Sequence, residues 1–186
     1  MILFIDGTCR KESRSKMLAE YYLNKRNEEI KILKLSNENI LPLNIESLDE
    51  RNKLIEKQDF DNEMFKYAKL LKQVDTLVIA TPYYDLSFSA NIKAFIEAIN
   101  ILGYTFAYNE KDMPYSLCHI KDLYYFTTAG GPIISDEYGY GYVKTMFKEF
   151  YEVKDFYYIK AEMLDIVGQD PNAILDKAKK EIDELK

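Results

Sequence analysis

Three short stretches of the chain combine residue types that commonly bind small ligands. The first, residues 7–15, reads Gly-Thr-Cys-Arg-Lys-Glu-Ser-Arg-Ser and carries three hydroxyls and three basic side chains. It precedes a predicted helix, whose first N–H groups are free and whose dipole favours an anion. The stretch predicts a site for a phosphate-sized group, although a polar loop with capping serines explains it equally well when it is considered alone. It matches neither the P-loop nor the Gly-x-Gly-x-x-Gly dinucleotide pattern.

The second stretch, Pro82-Tyr83-Tyr84-Asp85-Leu86, comes just after an unbroken apolar run, Leu77 to Ala80. Such a run is typical of a parallel strand that is covered on both faces. Two aromatic rings at the end of this strand favour a planar heterocyclic ligand. Tyrosine makes up 16 of the 186 residues, so core filler is the alternative interpretation. The position after a buried strand favours the ligand site.

The third stretch is Thr128-Ala129-Gly130-Gly131, followed by Pro132. Glycines allow the backbone to approach a ligand closely and to point N–H groups at it. A glycine pair before proline is also a common turn, so this stretch alone predicts little. Further on, tyrosines separated by glycines, Tyr138 to Tyr142, form either a mobile aromatic flap or an ordinary glycine-rich approach to a helix.

The elements that must position these stretches alternate between strands and helices. Apolar runs predict five strands, and they begin at Ile2, Ile30, Leu77, Leu123 and Phe156. This alternation predicts an α/β fold, a doubly wound five-stranded parallel sheet in the flavodoxin-like order 2-1-3-4-5 with helices on both faces. The stretches after strands one, three and four then meet at one edge of the sheet.

Two segments do not fit the simple alternation. Residues 36–48 are rich in Asn, Ser and Pro and are predicted to be irregular, and residues 101–121 are predicted to contain a hairpin. The length of 186 residues predicts one domain, residues 1–186.

Composition argues against several classes of protein. The chain has 25 basic and 31 acidic residues, a net charge of −6, which disfavours nucleic acid and anionic membranes as partners. A lone histidine, His119, and two distant cysteines, Cys9 and Cys118, argue against a histidine triad, a metal site or a disulfide framework. Without a recognisable signal peptide or membrane span, a cytoplasmic location is expected.

The same stretches resemble a known family. Residues 7–15 resemble the phosphate loop Gly-Ser-x-Arg-x-x-Ser of flavodoxin-like NAD(P)H-dependent FMN and quinone reductases. Pro82 to Leu86, with the helical residues 93–97, is similar to the Pro-Met-Tyr-Asn-Phe and Leu-Lys-x-Trp-Ile-Asp pattern of the FMN-dependent NADH:quinone oxidoreductases, or azoreductases. Thr128 to Gly131 stands where that family has Ser-Arg-Gly-Gly, and residues 40–43 resemble its segment after strand two. The resemblance spans most of the chain.

The resemblance implies an enzyme that binds FMN, takes electrons from NADH or NADPH, and passes two of them to a small quinone, azo or related acceptor. It implies a homodimer, and it assigns no catalytic side chain and no metal, because the flavin performs the chemistry. The cofactor-binding residues that it implies fall in the three stretches: Thr8, Arg10, Ser13, Arg14 and Ser15; Pro82, Tyr83, Tyr84, Asp85 and Leu86; Thr128, Ala129, Gly130 and Gly131.

Two residues depart from the family pattern. Asp85 replaces an asparagine, and Ala129 replaces an arginine. Both changes disfavour negative charge on a reduced flavin ring. Two other functions remain open: a flavodoxin-type electron carrier that docks onto redox proteins, and a flavin-free regulatory module with the same fold.

Overall fold

The computed structural model describes residues 1–185. Its strands are β1 Ile2–Asp6, β2 Ile30–Lys34, β3 Thr76–Pro82, β4 Phe106–Tyr108, β5 Pro114–Ser116, β6 Asp122–Thr128 and β7 Asp155–Ala161. Its α-helices are α1 Arg14–Leu23, α2 Ile45–Glu56, α3 Lys66–Leu71, α4 Ala90–Ile99, α5 Tyr142–Tyr151 and α6 Pro171–Asp183. The parallel sheet has the order β2-β1-β3-β6-β7, and β4 and β5 form a separate antiparallel pair. The predicted order 2-1-3-4-5 is confirmed. The last two strands of the sheet are numbered β6 and β7 because the hairpin strands, β4 and β5, precede them in the chain.

The sheet is covered on both faces, which explains the unbroken apolar runs of its central strands. Every residue of β1 is buried, as is most of β3. One face packs against α1 and α6, and the other against α3, α4 and α5. Helices on both faces leave the carboxyl ends of the strands as the open edge where loops can build a site. Within residues 1–185 no helix combines the length and the apolar content needed to cross a bilayer.

The prediction of an irregular segment over residues 36–48 is wrong in part. The chain forms a short 3₁₀ turn at Leu35–Asn37, and α2 already begins at Ile45. Asn44 caps this helix: its side chain accepts from the Ser47 N–H at 2.8 Å, and the Ser47 hydroxyl accepts from the Asn44 N–H at 2.9 Å. Two of the polar residues that suggest a loop, Asn44 and Ser47, are therefore helix-capping residues, whereas residues 38–44 are irregular as predicted.

The hairpin predicted within residues 101–121 is confirmed. Phe106 pairs with Ser116 and Tyr108 with Pro114. The hairpin packs on α5 through the rings of Phe106 and Phe150, whose centroids are 5.0 Å apart. Cys118 follows the hairpin, and its buried thiol donates to the Thr105 carbonyl at 3.5 Å.

Because Cys118 is buried, the fold is expected to lose stability at alkaline pH. Desolvation raises the pKa of its thiol from 9.0 to about 11. Because the pKa is higher in the folded than in the unfolded state, the neutral thiol stabilises the fold fully below pH 9. As the pH rises towards 11, the free energy of unfolding falls by roughly 2 kcal/mol. Buried tyrosines such as Tyr125 and Tyr151, whose pKa values are also raised by burial, lose stability towards pH 11 in both proteins. We therefore expect the loss measured by urea unfolding between pH 9 and 11 to be smaller by roughly 2 kcal/mol in Cys118→Ala than in the parent. Cys9→Ala, at an exposed cysteine, is the matched control and should retain the loss.

Candidate functional site

The loop after β1 is organised by a buried carboxylate. Asp6 is 1% exposed, and its Oδ1 accepts from the Thr8 N–H at 3.0 Å and from the Thr8 hydroxyl at 2.6 Å. Its Oδ2 lies 3.8 Å from the Lys16 ammonium. Gly7 packs closely on α4, because a Cβ there would lie 2.6 Å from Ile92 Cδ1. These contacts turn the chain sharply between β1 and α1.

This turn leaves a row of free backbone donors at the start of α1. Within residues 1–185 none of the N–H groups from residue 9 to residue 15 donates to a protein acceptor, and Ser13 caps the helix by accepting from the Lys16 N–H at 3.3 Å. The exposed side chains of Arg10 and Lys11 form no ion pair or hydrogen bond in the described chain. Free donors, a helix dipole and two unpaired cations make a strongly anion-attracting surface.

Two side chains of α1 tie the helix to other elements of the site. Ser15 is fully buried, and its hydroxyl lies 2.7 Å from the hydroxyl of Thr128 at the end of β6. Arg14 donates to Asp165, on the segment after β7, at 2.8 Å. The helix start is thus fixed to β6, and one of its cations is engaged by a carboxylate.

The stretch after β3 forms a tight turn. The N–H and carbonyl groups of Tyr84 and Ser87 exchange two hydrogen bonds of 2.8 Å, and Tyr83 donates its N–H to the Thr128 carbonyl at 3.0 Å. The central residues, Asp85 and Leu86, have positive φ values of 49° and 69°. This left-handed conformation is costly for leucine, so the surrounding contacts must hold it in place.

The segment after β6 provides those contacts. The Tyr83 hydroxyl donates to the Ser135 carbonyl at 3.3 Å, and the Ser87 hydroxyl donates to the Tyr138 carbonyl. Tyr140 does not form a mobile flap, because its ring stacks on that of Tyr158 with centroids 4.1 Å apart. Tyr142 likewise contacts Phe88, whereas Tyr138 is 57% exposed. The glycine-rich approach to a helix, here a π-helical turn at Glu137–Gly141, is the interpretation that fits.

In the third stretch, the carbonyl groups bond to the segment after β7, whereas the N–H groups of the two glycines do not. The carbonyls of Ala129, Gly130 and Gly131 accept from the N–H groups of residues 164, 165 and 163, at 3.2, 2.9 and 3.0 Å. In the described chain the N–H groups of Gly130 and Gly131 donate to no protein acceptor. This edge therefore offers two further backbone donors.

The three stretches meet, as predicted, around one cavity of about 660 Å³. That volume is typical of a site for a small molecule or cofactor. Of the predicted residues, ten line it: Thr8, Arg10, Ser13, Arg14, Pro82, Tyr83, Tyr84, Thr128, Ala129 and Gly130. Four do not: Ser15, Asp85, Leu86 and Gly131. Sequence reasoning missed nine lining residues: Cys9, Lys11, Glu12, Lys16, Met17, Glu20, Leu164, Asp165 and Leu175.

Comparison with known proteins identifies the family. The family model described as "Flavodoxin-like fold" matches residues 1–185. The chain is 34% identical to FMN-dependent NADH:quinone oxidoreductase 2 of Clostridium acetobutylicum, over 99% of this chain and 98% of that protein. This chain belongs to the flavodoxin-like FMN-dependent NADH:quinone oxidoreductase family. A second member, from Coprothermobacter proteolyticus, is 33% identical over 94% of this chain and 90% of its own length.

The fold of this FMN-dependent NADH:quinone oxidoreductase family member also matches solved structures. An azoreductase from Bacillus anthracis superposes with a TM-score of 0.83 at 20% identity, covering 97% of this chain and 95% of that one. An FMN-dependent NADH-azoreductase from the same species, solved in complex with FMN, gives a TM-score of 0.82 at 22% identity, covering 98% and 95%. The flavodoxin-like fold predicted from the sequence is confirmed.

Proposed function

We propose that this chain, a single domain over residues 1–186, binds FMN in the 660 Å³ cavity and acts as an FMN-dependent NAD(P)H:quinone oxidoreductase. It takes two electrons from NADH or NADPH and passes them to a small quinone, azo or related acceptor. The observation that carries this proposal is the row of unpaired N–H groups over residues 9–15, which opens into a cavity lined by two tyrosines. The family relationship supports the same function.

The phosphate end of FMN fits the start of α1. A phosphate carries up to two negative charges and accepts several hydrogen bonds, which the free N–H groups and the Ser13 hydroxyl can donate. The resemblance assigns Thr8 to the phosphate as well, but its buried hydroxyl donates to Asp6 Oδ1 at 2.6 Å. Arg10, Lys11 and Arg14 supply the balancing positive charge. Ser15 was expected to hold the phosphate directly, but its hydroxyl is buried against Thr128. We assign Ser15 a supporting role, in which it fixes α1 to β6.

The ring end fits the part of the cavity that is lined by the loops after β3 and β6. Tyr83 and Tyr84 provide flat apolar surface, and Gly130 offers a free N–H. A flat ring held against these residues would be shielded from water. When bound there, FMN would supply the redox chemistry, a two-electron transfer from the nicotinamide to the acceptor. The protein needs only to bind, orient and shield the reacting rings, so no acid–base pair is required.

One observation favours the enzyme over an electron carrier. The relatives that match almost the whole chain are named as NADH:quinone oxidoreductases. The hairpin formed by β4 and β5 does not bear on the choice, because none of its residues lines the cavity. Steady-state oxidation of NADH with menadione as acceptor, after addition of FMN, distinguishes the enzyme from the carrier. Turnover without any partner protein is expected, and negligible turnover would favour the carrier.

We propose that the protein is a cytoplasmic homodimer, with small molecules rather than nucleic acid or membranes as partners. Apolar residues before and at the start of α2 support the dimer, because Leu41 and Ile45 are 70% and 81% exposed and no residue of α2 is buried. The net charge of −6 supports the absence of nucleic acid and membrane partners. Sedimentation equilibrium should give twice the chain mass.

Asp165 is expected to compete with the FMN phosphate for Arg14. Its carboxylate lines the same cavity and lies 2.8 Å from the Arg14 guanidinium, although both side chains are largely exposed. Asp165→Asn should therefore tighten FMN binding by about threefold, as measured by fluorescence titration. Asp176→Asn removes the same charge from the exposed face of α6 and should leave the affinity unchanged. Weaker binding in Asp165→Asn would show instead that Asp165 orients Arg14 for the phosphate.

A further inference from the structure

A second cavity, of about 470 Å³, adjoins the main one. Cys9 and Tyr84 line both cavities and form their common wall. The remaining lining residues come from the turn after β3 and from the start of α4: Asp85, Ser87, Phe88, Ser89, Ala90 and Asn91. The second cavity thus lies beside the proposed ring end of the flavin site. The aromatic side chains of Tyr84 and Phe88 suit a planar molecule.

Asp85 is the only residue with a full charge among those that line this second cavity. Its exposed side chain forms no hydrogen bond or ion pair within residues 1–185. The N-terminus of α4 opens onto the same cavity and carries the equivalent of about half a positive charge. Part of that helix end is already engaged, since the Ser89 N–H donates to Thr81 Oγ1 at 3.1 Å. The negative charge of Asp85 therefore outweighs the helix dipole.

The backbone of Asp85 is held in place. Two hydrogen bonds of 2.8 Å close the turn between Tyr84 and Ser87, and the Ser87 hydroxyl is bonded to the Tyr138 carbonyl. The positive φ of Asp85, 49°, places it at the tip of that turn. A carboxylate on a fixed turn acts on a neighbouring ligand at a nearly constant distance.

The two cavities have opposite electrostatic character. The side chains that line the main cavity carry a net charge of +1, since four are cations and three, Glu12, Glu20 and Asp165, are carboxylates. A bound phosphate would more than neutralise that charge, and none of the four cations lines the second cavity. A ligand beside the flavin ring would then experience mainly the field of Asp85.

We propose that Asp85 determines which electron acceptors the protein accepts: aromatic acceptors with a positive charge, or with none, are selected over anionic ones at the second cavity. This inference depends on the proposed function, because an acceptor must reach a flavin in the main cavity. The inference adds a substrate class, cationic or neutral aromatic acceptors, to the proposed function.

Binding of redox-inert ligands tests the selectivity directly. Isothermal titration calorimetry of the FMN-loaded protein should show that (2-naphthyl)trimethylammonium binds about tenfold more tightly than naphthalene-2-sulfonate. Asp85→Asn should reduce this cation-to-anion ratio to near one, and high salt should do the same in the parent. Taking the ratio within each variant cancels any change in flavin placement that affects both ligands equally. Asp176→Asn, at an exposed position on α6 that lines neither cavity, changes the net charge equally and should preserve the ratio.

Steady-state kinetics provides the second readout. The ratio of kcat/KM for a trimethylammonium naphthoquinone to that for a naphthoquinone sulfonate should follow the binding ratio in all three proteins. The selectivity alone would be overturned if FMN-loaded protein that reduces neutral menadione gave the same ratio in Asp85→Asn as in the parent. An equal change of the ratio in Asp176→Asn would overturn it as well. A parent protein that takes up no FMN would overturn the proposed function as well.

Discussion

Replacing Arg14 by alanine is expected to weaken FMN binding by about thirtyfold. A charge-assisted hydrogen bond to phosphate contributes about 2 kcal/mol, which corresponds to that factor. The substitution also leaves Asp165 without its partner at 2.8 Å, so the phosphate would face an unneutralised carboxylate in the same cavity. Fluorescence titration of the flavin-free protein measures the dissociation constant.

Two further variants separate the role of Arg14 from general loss of positive charge. Lys180→Ala removes one positive charge from an exposed position on α6 that lines neither cavity, and its affinity for FMN should stay within twofold of the parent. Adding Asp165→Asn to Arg14→Ala should recover part of the lost affinity. Equal losses in the Arg14 and Lys180 variants would contradict a phosphate site at α1.

Replacing Asp6 by alanine is expected to destabilise the fold by about 3 kcal/mol. The side chain is 1% exposed and accepts hydrogen bonds from both the N–H and the hydroxyl of Thr8. Its removal leaves buried donors unsatisfied, which is a main route to large destabilisation. Urea unfolding without FMN measures the loss. FMN affinity should also fall, because Thr8 and the free N–H groups after it lose their fixed position.

Asp6→Asn is the matched control for the carboxylate. Its amide oxygen can still accept from Thr8, but the attraction to Lys16, at 3.8 Å, is lost and an amide N–H faces that ammonium instead. We expect this variant to lose about 1 kcal/mol and to retain most of its FMN affinity. If Asp6→Asn destabilised the fold as much as Asp6→Ala, the charge rather than the hydrogen bonds to Thr8 would organise the loop.

The sequence predicts the shared edge of the sheet because apolar runs and their order are local signals. Once the strand order was inferred, the loops after Asp6, Pro82 and Thr128 had to meet. Asp165 could not be found this way, because it enters the site only through its contact with Arg14, 151 residues earlier. No local pattern encodes a contact of that separation.

Side-chain direction was the second limit of sequence analysis. Ser15 is a residue type that commonly binds phosphate, but its position on α1 points its hydroxyl into the protein, where it contacts the Thr128 hydroxyl. Leu86 gave no local signal of a left-handed conformation, since leucine rarely adopts a φ of 69°. The hydrogen bonds between Tyr84 and Ser87 impose that conformation, and they depend on the tertiary position of the turn.

Titration of the flavin-free protein with FMN is the most direct test of a phosphate and ring site built from the three loops. The account predicts uptake of one FMN per chain, with a shifted flavin absorbance spectrum that NADH bleaches and menadione restores. A protein that binds no FMN at micromolar concentrations, or whose bound FMN is not bleached by NADH or NADPH, would contradict the account.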